Sequence, residues 1–224
     1  MTHGFDKDYW ESHWQKARER GAGREIPPNP YLANETSSLV PGAALDAGCG
    51  EGAEALWLAA QGWEVTAADI SSEALARASE RASKAGVSDR VRWIEADLST
   101  WEPDTRFDLV TTHYAHPAMP QLAFYERISD WVAPGGTLLI VGHLHPPDTG
   151  HSHGHPPEEA SVTAASITAS LHPALWDVLT AAERVRSLSN RAGGTVQLHD
   201  VVVRATRIDT ARSGSPHNPS APAC

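Results

Sequence analysis

The sequence predicts an α/β protein on a doubly wound, mostly parallel seven-stranded sheet that closes with a C-terminal antiparallel hairpin. Three observations carry this expectation. From Ala43 to Gly142, short apolar runs alternate with helix-favouring runs, the pattern of strands joined by crossover helices. Between the first strand and its helix lies Gly48-Cys49-Gly50-Glu51-Gly52, a turn rich in the residue that tolerates left-handed backbone. Beyond Trp176, two β-branched runs flank Arg191-Ala192-Gly193-Gly194, which reads as a hairpin. The 224 residues, 41% hydrophobic and 21% charged, suit one such domain and exclude global disorder.

Taken in order, Asp6 or Asp8 caps a first helix through about Arg20, with Tyr9, Trp10 and Trp14 spaced to share a face. Gly21 to Pro30 reads as a loop, and Tyr31 to Leu39 as a short helix. Ala43 to Ala47 is the first strand, followed by a helix from Ala53 to Gln61 that Gly62 ends. Glu64 to Ala68 is the second strand; Ser71 caps a helix to Lys84, which Gly86 terminates. Val91 to Glu95 and Phe107 to Thr112 are the third and fourth strands. Leu122 to Val132 forms a helix stopped by Pro134-Gly135-Gly136, and Thr137 to Gly142 is the fifth strand. His143 to Pro157 is a long loop, Glu158 to Leu171 a helix, and the stretches around Trp176 to Leu188 and Val196 to Val203 are the last two strands. The final strand carries an irregularity, and one edge strand runs antiparallel. Ser213 to Cys224, with three prolines, is expected to be a disordered tail.

Eighteen Lys and Arg against 28 Asp and Glu give a net charge of -10, which repels nucleic acid and anionic lipid in the absence of a basic patch. Cys49 and Cys224 are not expected to form a disulfide framework, and the polar N-terminus is expected to carry neither a leader nor a spanning segment. A cytoplasmic protein is expected, acting on a small molecule as a monomer or homodimer.

The glycine turn follows a strand and opens a helix, the context in which backbone approaches a ligand closely and helix N–H groups face it. Asp46, two residues before the first glycine, favours a ligand carrying an amino group or another cation. Asp69, about 20 positions on, is placed to accept the hydroxyls of a ribose. The same letters satisfy a dinucleotide fingerprint, so an NAD(P)- or flavin-dependent oxidoreductase stands as the alternative.

Together, Leu45 to Gly52, Ala68-Asp69-Ile70-Ser71, Glu95-Ala96-Asp97-Leu98, Phe107-Asp108-Leu109-Val110 and Pro134-Gly135-Gly136-Thr137-Leu138 resemble the class I S-adenosylmethionine-dependent methyltransferases, in that family's order. The aromatic first helix, Asn29-Pro30-Tyr31-Leu32 and Ala55-Leu56-Trp57-Leu58-Ala59 resemble its small-molecule branch near the tellurite-resistance and thiopurine enzymes. The resemblance implies a Rossmann-like sheet, S-adenosylmethionine as cofactor, and methyl transfer to a small-molecule N, O, S or chalcogen acceptor. It divides the chain into a helical lid segment (1–42), a methyltransferase domain (43–208) and a tail (209–224). It assigns Gly48, Cys49 and Gly50 to the methionine part, Asp46 to its amino group and Asp69 to the ribose. Ile70 packs on the adenine, Asp97 and Leu98 read its amino edge, and Thr112 lies beside the methionine.

Methyl transfer to a soft nucleophile needs alignment more than acid–base groups. Tyr9, Trp10 and Trp14 suit an aromatic lid over the sulfonium or the acceptor. His113, Tyr114 and His116 follow the fourth strand at the edge where α/β ligands bind; with His143 they are expected to face the acceptor, His113 being the candidate base. His143, His145, His151, His153 and His155 also allow a second alternative, a metal-binding protein that uses its histidine-rich loop.

Overall fold

The structure, a computed structural model, describes residues 5–19, 27–144, 162–189 and 195–210. The expected tail, the Arg191–Gly194 turn, His145, His151, His153, His155 and Cys224 lie outside the described residues. The elements run α1 (Lys7–Glu19), α2 (Pro30–Thr36), β1 (Ala43–Ala47), α3 (Ala53–Ala60), β2 (Glu64–Asp69), α4 (Ser72–Ala85), β3 (Val91–Glu95), β4 (Phe107–His113), α5 (Gln121–Ser129), β5 (Val132–His143), α6 (Ala164–Ser170), β6 (Trp176–Ser189) and β7 (Thr195–Arg207). A 3-10 turn, Ser88–Arg90, precedes β3.

The sheet order is β3-β2-β1-β4-β5-β7-β6. The first five strands pair in parallel, and β7 runs antiparallel to both β5 and β6. The antiparallel strand is therefore β7, one place in from the edge, and β6 forms the edge; the expectation of an antiparallel edge strand is corrected. β7 inserts beside β5 because Val201, Val202 and Val203 are apolar toward both faces, as an interior strand requires.

Strand alternation sorts the core into two faces. Leu45, Val110, Leu138 and Ile140 pack under Phe124 and Ile128 of α5 and Ile167 of α6. Ala44, Leu109, Leu139 and Val141 pack under Leu32 of α2, Leu58 of α3 and Leu75 of α4. Local chemistry sets the helix ends. Asn29 accepts the N–H of Tyr31, with Pro30 next to it at the start of α2. Ser71 accepts the N–H of Ala74, and Gly86, at φ 71°, closes α4.

Three expectations shift. Pro134-Gly135-Gly136 does not stop a helix: α5 ends at Ser129, and Val132 already pairs with Phe107. The register then slips, so that Thr137 faces Leu109, and Gly135, at φ 79°, makes the bulge possible. The expected irregularity lies in β6, between Val178 and Thr180, rather than in β7. The helix expected from Glu158 begins, within the described residues, at Ala164, where Thr163 caps it. Among the described residues no helix is long and apolar enough to cross a membrane.

Candidate active site

At the carboxyl edge of β1 the chain turns back over β2: the N–H groups of Gly48 and Cys49 both donate to the carbonyl of Ala68, at 2.8 and 3.1 Å. The turn needs its glycines for protein packing as much as for ligand approach. A Cβ on Gly48, at φ 80°, would lie 2.3 Å from Cβ of Ala115; one on Gly50, at φ 51°, would lie 2.9 Å from the Trp14 indole. Trp14 therefore rests directly on the loop. Asp69 braces the same turn, its two carboxylate oxygens accepting the N–H groups of Gly50 (2.8 Å) and Ser71 (2.9 Å). Burial raises its pKa, and these two hydrogen bonds oppose the rise.

Asp46 is 1% exposed. The N–H of Ala55 in the first turn of α3 favours its charged form, yet among the described residues its Oδ2 has no hydrogen-bond partner. Burial first, then the neighbouring Glu54 carboxylate, pushes its pKa well above the ordinary range. A buried carboxylate oxygen left bare beside a second carboxylate is costly. An ammonium group is the counterpart such a site lacks, so the residues fit a cofactor with a charged methionine end. Cys49 is also buried, and burial followed by Asp46 and Asp69 pushes its thiol up, so only its backbone is suited to a ligand.

A cavity of about 420 Å³, lined by Ile70, Asp97, Ala118, Lys7 and Glu95 among others, continues from the end of β2. Oδ1 of Asp97 accepts the N–H and hydroxyl of Ser99, at 2.9 and 2.6 Å, which fixes the carboxylate at the cavity wall. Leu98 is buried, its Cδ1 3.8 Å from the Cβ that Gly48 lacks. Thr112 is fully buried, and its hydroxyl donates to the carbonyl of Ala47 at 2.8 Å; it ties β4 to β1 beneath the loop.

Helix α1 covers this edge. The Glu11 carboxylate takes the N–H of Ser72 (2.8 Å) and the hydroxyls of Ser71 and Ser72 (3.0 and 2.9 Å). Although burial opposes it, these hydrogen bonds hold Glu11 below its ordinary pKa. Lys7 pairs with Glu95, and the Trp10 indole donates to the carbonyl of His116 at 3.2 Å. Tyr9 departs from expectation: at 37% exposure it lies off the buried face, in edge contact with Phe5 and Trp10.

A column of rings runs from Phe5, just before α1, to Tyr114, just after β4. Phe5 faces His116 at 5.7 Å, His116 stacks on His143 at 5.7 Å, and His143 stacks on Tyr114 at 4.3 Å. Tyr114, at φ 56°, is held by a network the sequence did not reveal. Its hydroxyl donates to Asp200 (2.8 Å) and accepts from Arg186 (2.9 Å) and Asn29 (3.1 Å). Arg186 also pairs with the fully buried Asp200, at 2.6 Å. Burial first, then Asp200, raises the Tyr114 pKa, so the phenol stays protonated. His113 is set apart from the column. It shares the Asp46 face of the sheet, its Nε2 is 2.8 Å from the Thr111 hydroxyl, and among the described residues its buried Nδ1 has no partner. Burial lowers its pKa, against an opposing pull from Glu54.

Of the expected site residues, the structure thus gathers Trp14, Asp46, Gly48, Cys49, Gly50 and Asp69 at the loop, and Ile70 and Asp97 at the cavity. Trp10, His116 and His143 meet at the column. Tyr114, expected beside the acceptor, stands in the column, whereas Glu11, Glu54, Asn29, Arg186 and Asp200 lie outside the expected set. Asn29 had a signal, the Asn-Pro helix start; Arg186 and Asp200 reach Tyr114 across 72 and 86 residues, beyond any local pattern. Among the described residues no three His, Cys, Asp or Glu side chains gather as a metal site.

Residues 44–136 match the family described as "Methyltransferase domain". A probable thiol methyltransferase 2 of Arabidopsis thaliana is 32% identical over 158 residues, covering 67% of this chain and 68% of the relative. The chain belongs to the class I S-adenosylmethionine-dependent methyltransferases. As a methyltransferase it is an enzyme, S-adenosylmethionine is its cofactor, and its reaction is methyl transfer to a small-molecule acceptor. Thiocyanate methyltransferase 1 of Brassica oleracea is 28% identical over 191 residues, 82% of this methyltransferase and 81% of the relative. Among solved structures, TehB from Haemophilus influenzae shares the methyltransferase fold with a TM-score of 0.65 at 17% identity, covering 80% of this chain and 62% of that one.

Proposed function

We propose that this methyltransferase methylates a small sulfur nucleophile of the thiol or thiocyanate kind, presented as a soft anion. The observation that carries the reading is the column of Phe5, His116, His143 and Tyr114 beside the glycine loop. Rings of this kind suit a polarisable sulfur, and the names of the thiol and thiocyanate relatives support the same class.

S-adenosylmethionine supplies an electrophilic methyl group on a sulfonium. In our reading Asp46 receives the cofactor's ammonium, and the backbone of Gly48, Cys49 and Gly50 lines its methionine part, with Thr112 supporting the loop from below. Asp69 takes the ribose hydroxyls through lone pairs left over from its two backbone contacts. Ile70 packs against the adenine, and Asp97 with Leu98 borders its amino edge. Trp14 closes over the methionine end, while Trp10, His116 and His143 line the acceptor and Tyr9 flanks its entrance. His113, neutral because burial lowers its pKa, is the candidate base at Nδ1 for an acceptor that arrives protonated; a thiolate needs none. Residues 1–42 form the lid and 43–208 the catalytic domain. The net charge of -10 supports a small-molecule rather than a nucleic-acid acceptor, and we place the enzyme in the cytoplasm as a monomer or homodimer.

Competition among benzenethiol, phenol and aniline for the transferred methyl tests the acceptor class. Benzenethiol is expected to win by more than about a hundredfold, roughly 3 kcal/mol of barrier. Preference for phenol or aniline would sink the sulfur reading.

A further inference from the structure

We infer that Glu54 is a second carboxylate for the cofactor's α-ammonium group, so that Asp46 and Glu54 form a two-carboxylate seat specific for an amino-acid end. The inference rests on the cofactor placement given above. It starts from the bare Oδ2 of Asp46, a polar atom on a side chain 1% exposed. Asp46 lies near the end of β1 and Glu54 in the first turn of α3, on either side of the glycine loop, and the Glu54 charge bears on the Asp46 carboxyl. Among the described residues neither has a Lys or Arg partner; Arg77 and Arg81 pair instead with Glu51, at 2.8 and 3.6 Å. The nearby ring of His113 adds no charge, since burial favours its neutral form.

Two interacting carboxylates without a cation repel, and a positive ligand group between them relieves both. Among the described residues the Glu54 side chain has one hydrogen bond, Oε1 accepting the N–H of Asn29 at 2.9 Å, which leaves Oε2 open to a ligand. A simpler role is also on offer, in which Glu54 merely complements the α3 N-terminus and holds Asn29. The two roles differ in what they make of the ligand's amino group.

The test is a thermodynamic cycle by calorimetry on the full chain. Wild type and Glu54→Gln are each titrated with S-adenosylhomocysteine and with its deaminated analogue, 4-(adenosylthio)butanoate. Gln keeps an acceptor oxygen for Asn29, and circular dichroism verifies the fold. Glu54→Gln is expected to weaken S-adenosylhomocysteine roughly tenfold, the low end for a charged hydrogen bond, and the deaminated analogue less than about twofold. Equal losses for both ligands, or no loss for either, would overturn the inference and leave the cofactor placement standing. Failure of folded wild type to bind S-adenosylhomocysteine would bring down that placement and this inference together.

Discussion

Replacing Asp46 by Asn is expected to make the ligand-free protein more stable, which is unusual for a residue that is 1% exposed. Its carboxyl has a folded-state pKa well above the ordinary value, chiefly through burial and then through Glu54. A raised carboxyl pKa means that the folded protein holds the proton more tightly than the unfolded chain does. The associated stability is present at low pH and is lost as pH rises through the folded pKa. Near neutrality the wild type therefore carries a cost that Asn removes. The scale is that of a carboxyl whose ionisation the fold disfavours, about 1–3 kcal/mol near neutrality, and Asn has no such proton to lose. For a chain of this length that corresponds to about 3–10 °C in melting temperature. The assay is thermal unfolding of both proteins without ligand, from neutral pH to below about pH 4, where the unfolded carboxyl is itself protonated. The gap should narrow as pH falls. An Asn variant less stable than wild type near neutrality, or a gap that widens toward acid, would mean that the Asp46 carboxyl carries no such cost.

Other expectations follow from the same edge of the sheet. Gly48→Ala places a Cβ 2.3 Å from that of Ala115 at φ 80°; left-handed strain and overpacking together should cost about 2–4 kcal/mol in urea unfolding. Tyr114→Phe removes the hydroxyl on which Asp200, Arg186 and Asn29 converge. It should lower stability by about 1–3 kcal/mol while leaving S-adenosylhomocysteine affinity within about twofold by calorimetry, since the network lies on the acceptor side. Asp69→Ala unpairs the N–H groups of Gly50 and Ser71 as well as removing the proposed ribose contact. Both stability, by roughly 2–4 kcal/mol, and cofactor affinity should fall, and loss of affinity without loss of stability would contradict the bracing role.

Much of the first half of the fold was legible because its signals are local. Ser71 and Gly86 mark the ends of α4 by capping chemistry, and β1 and β3 match their expected bounds. What failed depended on partners distant in sequence. β5 starts at Val132 because Phe107 is there to pair with it, not because of anything in Pro134-Gly135-Gly136. Placing β7 inside the sheet required knowing that both of its neighbours are strands. In the site, Asp46 and the glycines were readable as a motif, and Asp69 by its distance from them. The bracing of Gly50 by Asp69, the seating of Glu11 on α4 and the Tyr114 network were not, because each is a tertiary contact between ordinary polar residues. Tyr9 was misplaced because spacing alone cannot say which rings of an aromatic helix turn inward.

Seating of the cofactor's charged end against Asp46 beneath α1 underlies both proposals. Its most direct test is calorimetric titration of wild type and Asp46→Asn with S-adenosylhomocysteine under one set of conditions, with NAD as control. Wild type is expected to bind with a micromolar Kd and not to bind NAD, and the variant to bind at least about tenfold more weakly. Equal affinity in the two proteins, both folded, would contradict it.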